Sequence, residues 1–186
     1  MTGIKRKLLF ILSVSMILLS GCAGSLKDGA DALETGNYEE AAEAFGQAVS
    51  EEGAAAEDVA AAYRGLGMAN YELGKYAEAL EAFENAVDNG ADQTVQLYNL
   101  MGVCAMQTED YAKGLEYIQA GLTLADSASE EESADAGLVR EMEYNEIVCL
   151  ERQAQWESAK EKIAAYTAKY PDDEAAQKEA EFLQTR

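Results

Sequence analysis

Residues Tyr63–Phe83, YRGLGMANYELGKYAEALEAF, hold the pattern on which the rest of the chain is built. Tyr63 stands three places before Leu66-Gly67, Gly74 closes this first stretch, and Lys75-Tyr76 opens a second with Ala79 and Phe83 four apart. Gly74 suits a left-handed residue that ends a helix, because it lacks the Cβ that penalises this conformation. The segment therefore predicts two antiparallel helices, A and B. Gly67 on A and Ala79 on B are small where the two backbones must approach. Tyr76 packs back across the pair, and Phe83 fills the space towards the next one.

Working outward, the B half recurs four times: Asn37-Tyr38..Ala41...Phe45, Lys75-Tyr76..Ala79...Phe83, Asp110-Tyr111..Gly114...Ile118 and Gln155-Trp156..Ala159...Ile163. The leading aromatics are spaced by 38, 35 and 45 residues. The A half recurs at Tyr98..Met101-Gly102, and Gly29 and Gly36 take the two glycine places in the first unit. The outer units depart from the pattern. Asp28 precedes Gly29, Glu146-Ile147 replaces Leu-Gly, and Ala154 replaces the turn glycine.

Over roughly residues 25–171 these motifs resemble the tetratricopeptide repeat, whose period is about 34 residues. The resemblance implies an all-α, right-handed superhelical α-solenoid of about four helix-turn-helix repeats, near 26–53, 56–90, 91–125 and 136–171. No single pair buries its apolar side, so stacking supplies the core. Residues 172–186 read as a capping helix, with Asp172 or Asp173 as N-cap and Ala176, Ala180 and Leu183 facing inward. The stretch 126–135 reads as an acidic linker, part of which could extend the next helix. Asp126 and Glu130 to Glu132 could be imagined on calcium, but they lack the alternating acids and central glycine of an EF-hand loop.

The first residues carry an address. Lys5-Arg6-Lys7 precedes the apolar run Leu8–Leu19, which is shorter than the about 20 residues a spanning helix needs. Leu19-Ser20-Gly21-Cys22 then resembles the bacterial lipobox. It implies a signal peptide over 1–21, cleavage before Cys22, a diacylglyceryl and acyl lipid on that thiol, and a short tether at 22–25. Two or more acyl chains, at about 0.8 kcal/mol per buried CH₂, give stable attachment. The expected location is the outer face of a bacterial cell membrane. Ala23 follows the cysteine, so the aspartate that retains such proteins in a Gram-negative inner membrane is not there; an outer membrane, where the cell has one, is an open alternative. The alternative reading of Cys22 is an ordinary signal peptide that happens to end near a cysteine.

Charge narrows the partners. The chain carries 35 acids against 14 bases, a net −21, and loss of Lys5, Arg6 and Lys7 with the leader leaves 11 bases and −24. Such a surface repels phosphate backbones and anionic headgroups, so nucleic acid is a poor partner and a lipid must supply membrane attachment. Histidine is absent, and no phosphate loop, nucleophile elbow or CxxC motif is present, so an enzyme is not expected. No cofactor is expected beyond the lipid on Cys22. Cys104 and Cys149 hold equivalent places in neighbouring A helices. Such places lie at least about 8–10 Å apart, too far for a disulfide, which predicts two buried free thiols.

The family register puts Leu26, Ala30, Leu33, Arg64, Met68, Tyr71, Asn99, Val103, Met106, Tyr144, Asn145 and Val148 on the inner face of the A helices. Methionine and tyrosine suit adaptable peptide grooves. The same residues could equally be packing between neighbouring A helices. The lysine and asparagine clamp that some members use for a terminal carboxylate is not recognisable, since Met68 and Leu100 stand in its polar places. The favoured function is a membrane-anchored protein–protein interaction scaffold that takes a basic or apolar segment of another exported or membrane protein in its concave groove. The alternatives are a self-assembling envelope lipoprotein and, last, an enzyme or small-solute receptor.

Overall fold

A computed structural model describes residues 23–127 and 134–186, which form nine helices and no strand. The expected leader 1–21, Cys22 and the linker segment 128–133, with Glu130 to Glu132, lie outside the described residues. The helices are α1 (Ala23–Glu34), α2 (Tyr38–Val49), α3 (Ala56–Glu72), α4 (Tyr76–Asp88), α5 (Val95–Gln107), α6 (Tyr111–Ser127), α7 (Ala136–Arg152), α8 (Trp156–Lys169) and α9 (Glu174–Leu183). Each packs mainly on the helices before and after it, so the chain is four A–B hairpins and a final single helix in one row. This is the all-α solenoid expected from the recurrence. Two local differences stand out. Residues 23–25 of the expected tether are already the first turn of α1, and the linker begins by prolonging α6 to Ser127. On its far side Asp135 caps α7, its carboxylate accepting from the amides of Gly137 and Leu138.

The four A–B turns are built alike. Gly36, Gly74, Glu109 and Ala154 all adopt positive φ, at 78°, 72°, 64° and 55°. Each of these residues donates its amide to the carbonyl three places back, and the next residue donates to the one five places back: Asn37 to Ala32, Lys75 to Asn70, Asp110 to Ala105 and Gln155 to Leu150. These are the paired bonds of a Schellman motif. The turn at Ala154 therefore persists without its glycine.

Inside each hairpin a glycine on A faces a large side chain on B. A Cβ on Gly29 would lie 2.9 Å from Phe45, one on Gly67 2.5 Å from Phe83, and one on Gly102 2.7 Å from Ile118. Phe45 does more than fill the space towards the next unit: it lies over Gly29 of its own unit and against Gly65 of the next. In the fourth hairpin Ile147 meets Ile163, and both are buried. Glu146 takes the place that Leu66 and Met101 hold in earlier units, yet it is only 2% exposed. Lys162 Nζ lies 2.8 Å from its carboxylate, and Gln119 Nε2 donates to it at 2.9 Å. Cys104 and Cys149 are buried free thiols, and the Cys149 sulfur packs towards Gly114.

At the C-terminal end α9 closes the row. Ala176 and Leu183 are fully buried with Leu150, Ile163 and Tyr166, and Ala180 packs at the edge of that cluster. Asp173 is the N-cap, accepting from the Ala176 amide. It also holds Arg140 at 2.6 Å, while Arg140 Nε and the Tyr166 hydroxyl join at 3.0 Å. Three helices thus meet at one carboxylate.

Candidate partner-binding face

Helices α1 and α3 touch, as do α5 and α7, whereas the B helices of successive units do not pack on one another. A row whose A helices converge and whose B helices spread curves with A on the inside. The residues singled out by register all fall on A helices: Leu33 on α1; Arg64, Met68 and Tyr71 on α3; Asn99, Val103 and Met106 on α5; and Tyr144, Asn145 and Val148 on α7. Spacings of four, three and seven residues bring the α3 set and the α5 set each to one helix face, whereas Tyr144 and Asn145 are chain neighbours on α7. Most of these side chains are half-buried; Arg64 is exposed and Asn99 is buried.

Packing and exposure coexist along this face. Leu33 leans on the cluster around Phe45, and Met68 and Tyr71 on that around Phe83 and Met101. Met106 leans on Ile118, Met142 and Cys149, and Tyr144 on Leu150 and Tyr166. Val103, Asn145 and Val148 are half-buried alongside them. Most of these side chains thus pack at the edge of the core while keeping part of their surface exposed.

Its polar groups are few and specific. Tyr71 meets Tyr76 edge to face at 5.7 Å. Burial, with Cys104, Tyr76, Glu141 and Glu72 adding to it, pushes the Tyr71 phenol up to about 12, so it stays a neutral donor. Tyr144 is also raised, by burial first and then by Glu179 and Glu151. Asn99 is 8% exposed and its Oδ1 has no donor. The acids Glu72, Glu141, Glu151 and Glu179 were not singled out from sequence. Glu141 could have been found there, because it lies one helical turn before Tyr144; the contribution of Glu179 depends on where α9 docks.

The arrangement is suited to contact rather than bond-making. Burial raises the Cys104 thiol to about 12 and the Cys149 thiol, with help from Glu146, to about 11, away from the thiolate a nucleophile needs. Among the described residues no cluster of three or more His, Cys, Asp or Glu could hold a metal ion, and no helix is long and apolar enough to cross a membrane.

The tetratricopeptide repeat family model matches residues 26–94 and 71–129, more than half of the chain. The chain belongs to the tetratricopeptide repeat family. Solved structures agree on the fold. YrrB, described as a tetratricopeptide repeat protein with an unusual peptide-binding site, superposes with a TM-score of 0.68 at 20% identity, covering 87% of this chain and 75% of its own. MamA from Desulfovibrio magneticus RS-1 gives 0.67 at 16% identity, covering 91% and 87%. BtubC from P. vanneervenii gives 0.61 at 17% identity, covering 75% and 59%. No curated protein matches this tetratricopeptide repeat chain in sequence.

Proposed function

We propose that this tetratricopeptide repeat chain is a membrane-anchored protein–protein interaction scaffold, held by an acyl lipid on Cys22 at the extracytoplasmic face of a bacterial membrane, and not an enzyme. The observation that carries the reading is the inner A-helix face, an apolar strip of Met68, Tyr71, Val103 and Met106 bordered by acids. The partner is a segment of another exported or membrane protein. Its chemistry follows from the rim: Glu72 and Glu141 attend Tyr71, and α5 in the centre has no charged residue at all. Apolar side chains fit the floor and lysine or arginine the edges. That YrrB is described as having a peptide-binding site supports the same use of the fold.

The first end of the row supports this reading over self-stacking. The outer groove of the first hairpin is lined by Asp28, Asp31, Glu40 and Glu43 with Ser25, Thr35 and Gln47, a polar surface of the kind that closes a repeat array.

The test is site-specific photo-cross-linking in intact cells. A probe at Val103 should give a discrete protein adduct that Tyr71→Ala/Met106→Ala abolishes, while a probe at Glu116 on the B side gives none. Equal adducts from both faces would remove the groove. In the same cells Cys22→Ser should abolish lipid labelling and leave the chain unprocessed; retained labelling would remove the anchor.

A further inference from the structure

We propose that the row hinges between its second and third hairpins, and that Glu84, Lys113 and Tyr117 form a polar catch that sets the angle of this joint. The three joints between hairpins are not built alike. At the first, Phe45 of α2 lies so close to Gly65 of α3 that a Cβ would not fit there. At the third, the fully buried Met142 of α7 takes the same space over Gly121 of α6, and Gln119 and Gln153 donate hydrogen bonds across the joint. A large side chain seated on bare backbone in a close-packed interior fixes two layers at one distance. The second joint has no such key. Gly67 corresponds to Gly102 and Ala79 to Gly114, and the same offset puts Leu100 of α5 in the place of Gly65 and Ala86 of α4 in that of Gly121.

The A side of this joint is open as well. Helix α1 packs on α3 and α5 on α7, whereas α3 and α5 do not pack on one another in the same way. From α3 the joint receives Met68 and Tyr71, half-buried against the cluster of Phe83, Leu97, Met101 and Cys104. A methionine with part of its surface free and three rotatable bonds repacks at little cost.

On the B side the two layers are tied through polar groups. Helices α4 and α6 do not pack on one another. The Glu84 carboxylate of α4 nevertheless accepts from the Tyr117 hydroxyl of α6 at 2.5 Å and pairs with the Lys113 ammonium of that helix. Lys113 Nζ also lies 6.0 Å from the centre of the Tyr117 ring. That ring stands 6.4 Å from Tyr98 of α5, whose hydroxyl donates at 2.7 Å to Gln93 in the connection 89–94. The side chains of Lys113 and Glu84 are 39% and 33% exposed, so the catch holds by a modest free energy and can release. Release lets α1–α4 turn against α5–α9 about the connection 89–94. The spacing between α3 and α5, which carry Met68, Tyr71, Val103 and Met106, then becomes adjustable.

Double electron–electron resonance on the full chain in detergent micelles tests the hinge, with nitroxides carried on p-acetylphenylalanine so that the buried thiols stay untouched. Probes at Glu43 and Glu161 span the joint, while Glu43 with Glu78, and Glu116 with Glu161, lie on one side of it; all four positions are exposed. The variant Glu84→Gln/Tyr117→Phe keeps both shapes and removes the charge and the hydroxyl. In it the population outside the parent's main distance peak should rise, by up to about fivefold, for the spanning pair. Both one-sided pairs should keep their distributions. A spanning distribution that stays unchanged, or widens no more than the one-sided ones, would overturn the proposal. Neither lipid attachment nor partner binding enters this readout, so the hinge is tested apart from the scaffold function.

Discussion

Glu109 and Ala154 occupy the left-handed position that Gly36 and Gly74 fill in the first two turns. For a residue with a Cβ that conformation costs about 1–2 kcal/mol, and the double Schellman bonding at each site holds it in place. Part of the cost is returned because glycine loses more freedom on folding, roughly 0.4–1 kcal/mol. We therefore expect Glu109→Gly and Ala154→Gly each to stabilise the chain by about 0.5–1 kcal/mol, measured as a shift in the urea midpoint. Unchanged or lowered midpoints would mean that side-chain contacts at these turns outweigh backbone strain. The turn itself was legible at every unit, because polar-aromatic pairs mark where B begins. Whether the residue before them is glycine altered the strain and not the geometry.

At the scale of helices, α7 shows how a departure from the repeat is accommodated. Glu146 stands where an apolar residue would close the hairpin, and its carboxylate is met by Lys162 of α8 and Gln119 of α6. Three consecutive helices are tied through one carboxylate. Removing one partner of a buried pair strands the other charge, a loss of about 3–5 kcal/mol when burial is complete. Lys162 is half exposed and Gln119 would remain, so Lys162→Met should destabilise by a smaller amount, about 1–3 kcal/mol. The double variant Glu146→Leu/Lys162→Met restores the apolar contact of the earlier units and should return to within about 1 kcal/mol of the parent. Denaturant unfolding of the four proteins of this cycle checks it; a double variant as weak as the single one would mean the pair itself sustains the packing. From sequence Glu146-Ile147 read only as drift at a terminal unit. Its partners lie 27 and 16 places away in the chain, on helices whose faces meet only after stacking.

For the whole molecule, acids dominate and their environments oppose one another. Glu151 is raised from 4.5 to about 7 by burial and Glu179, so the folded chain binds more protons than the unfolded one across that window and stability falls as pH rises through it. Asp173 is lowered, by the Ala176 amide and Arg140. Glu84 is lowered too, because hydrogen bonds from Lys113 and Tyr117 outweigh its partial burial. Their contributions are complete above the ordinary carboxylate values and are lost as pH falls through the depressed ones. Stability should therefore peak near pH 5, decline towards pH 7 and level off above it, with a steeper loss below about pH 4. Thermal midpoints from pH 3 to 8.5 measure this, and a maximum at pH 8 would contradict it. The net −21 acts in the same direction on the alkaline side, since ionised acids repel across a small surface.

The sequence by itself determined the helical hairpins, their number, the A–B order and the small positions where helices approach. It could do so because each of these is a local property repeated at a near-constant interval, and four weak signals in register act as one strong one. It also put the candidate partner-binding residues on the A helices. How far each of them is buried came only with the stacking of the layers, which leaves most of them partly exposed. Only the docking of α9 brought Arg140 against Asp173. That pair depends on the angle at which the last helix lies across the fourth hairpin, a quantity set by side-chain volume in the stack and written at no single position of the chain.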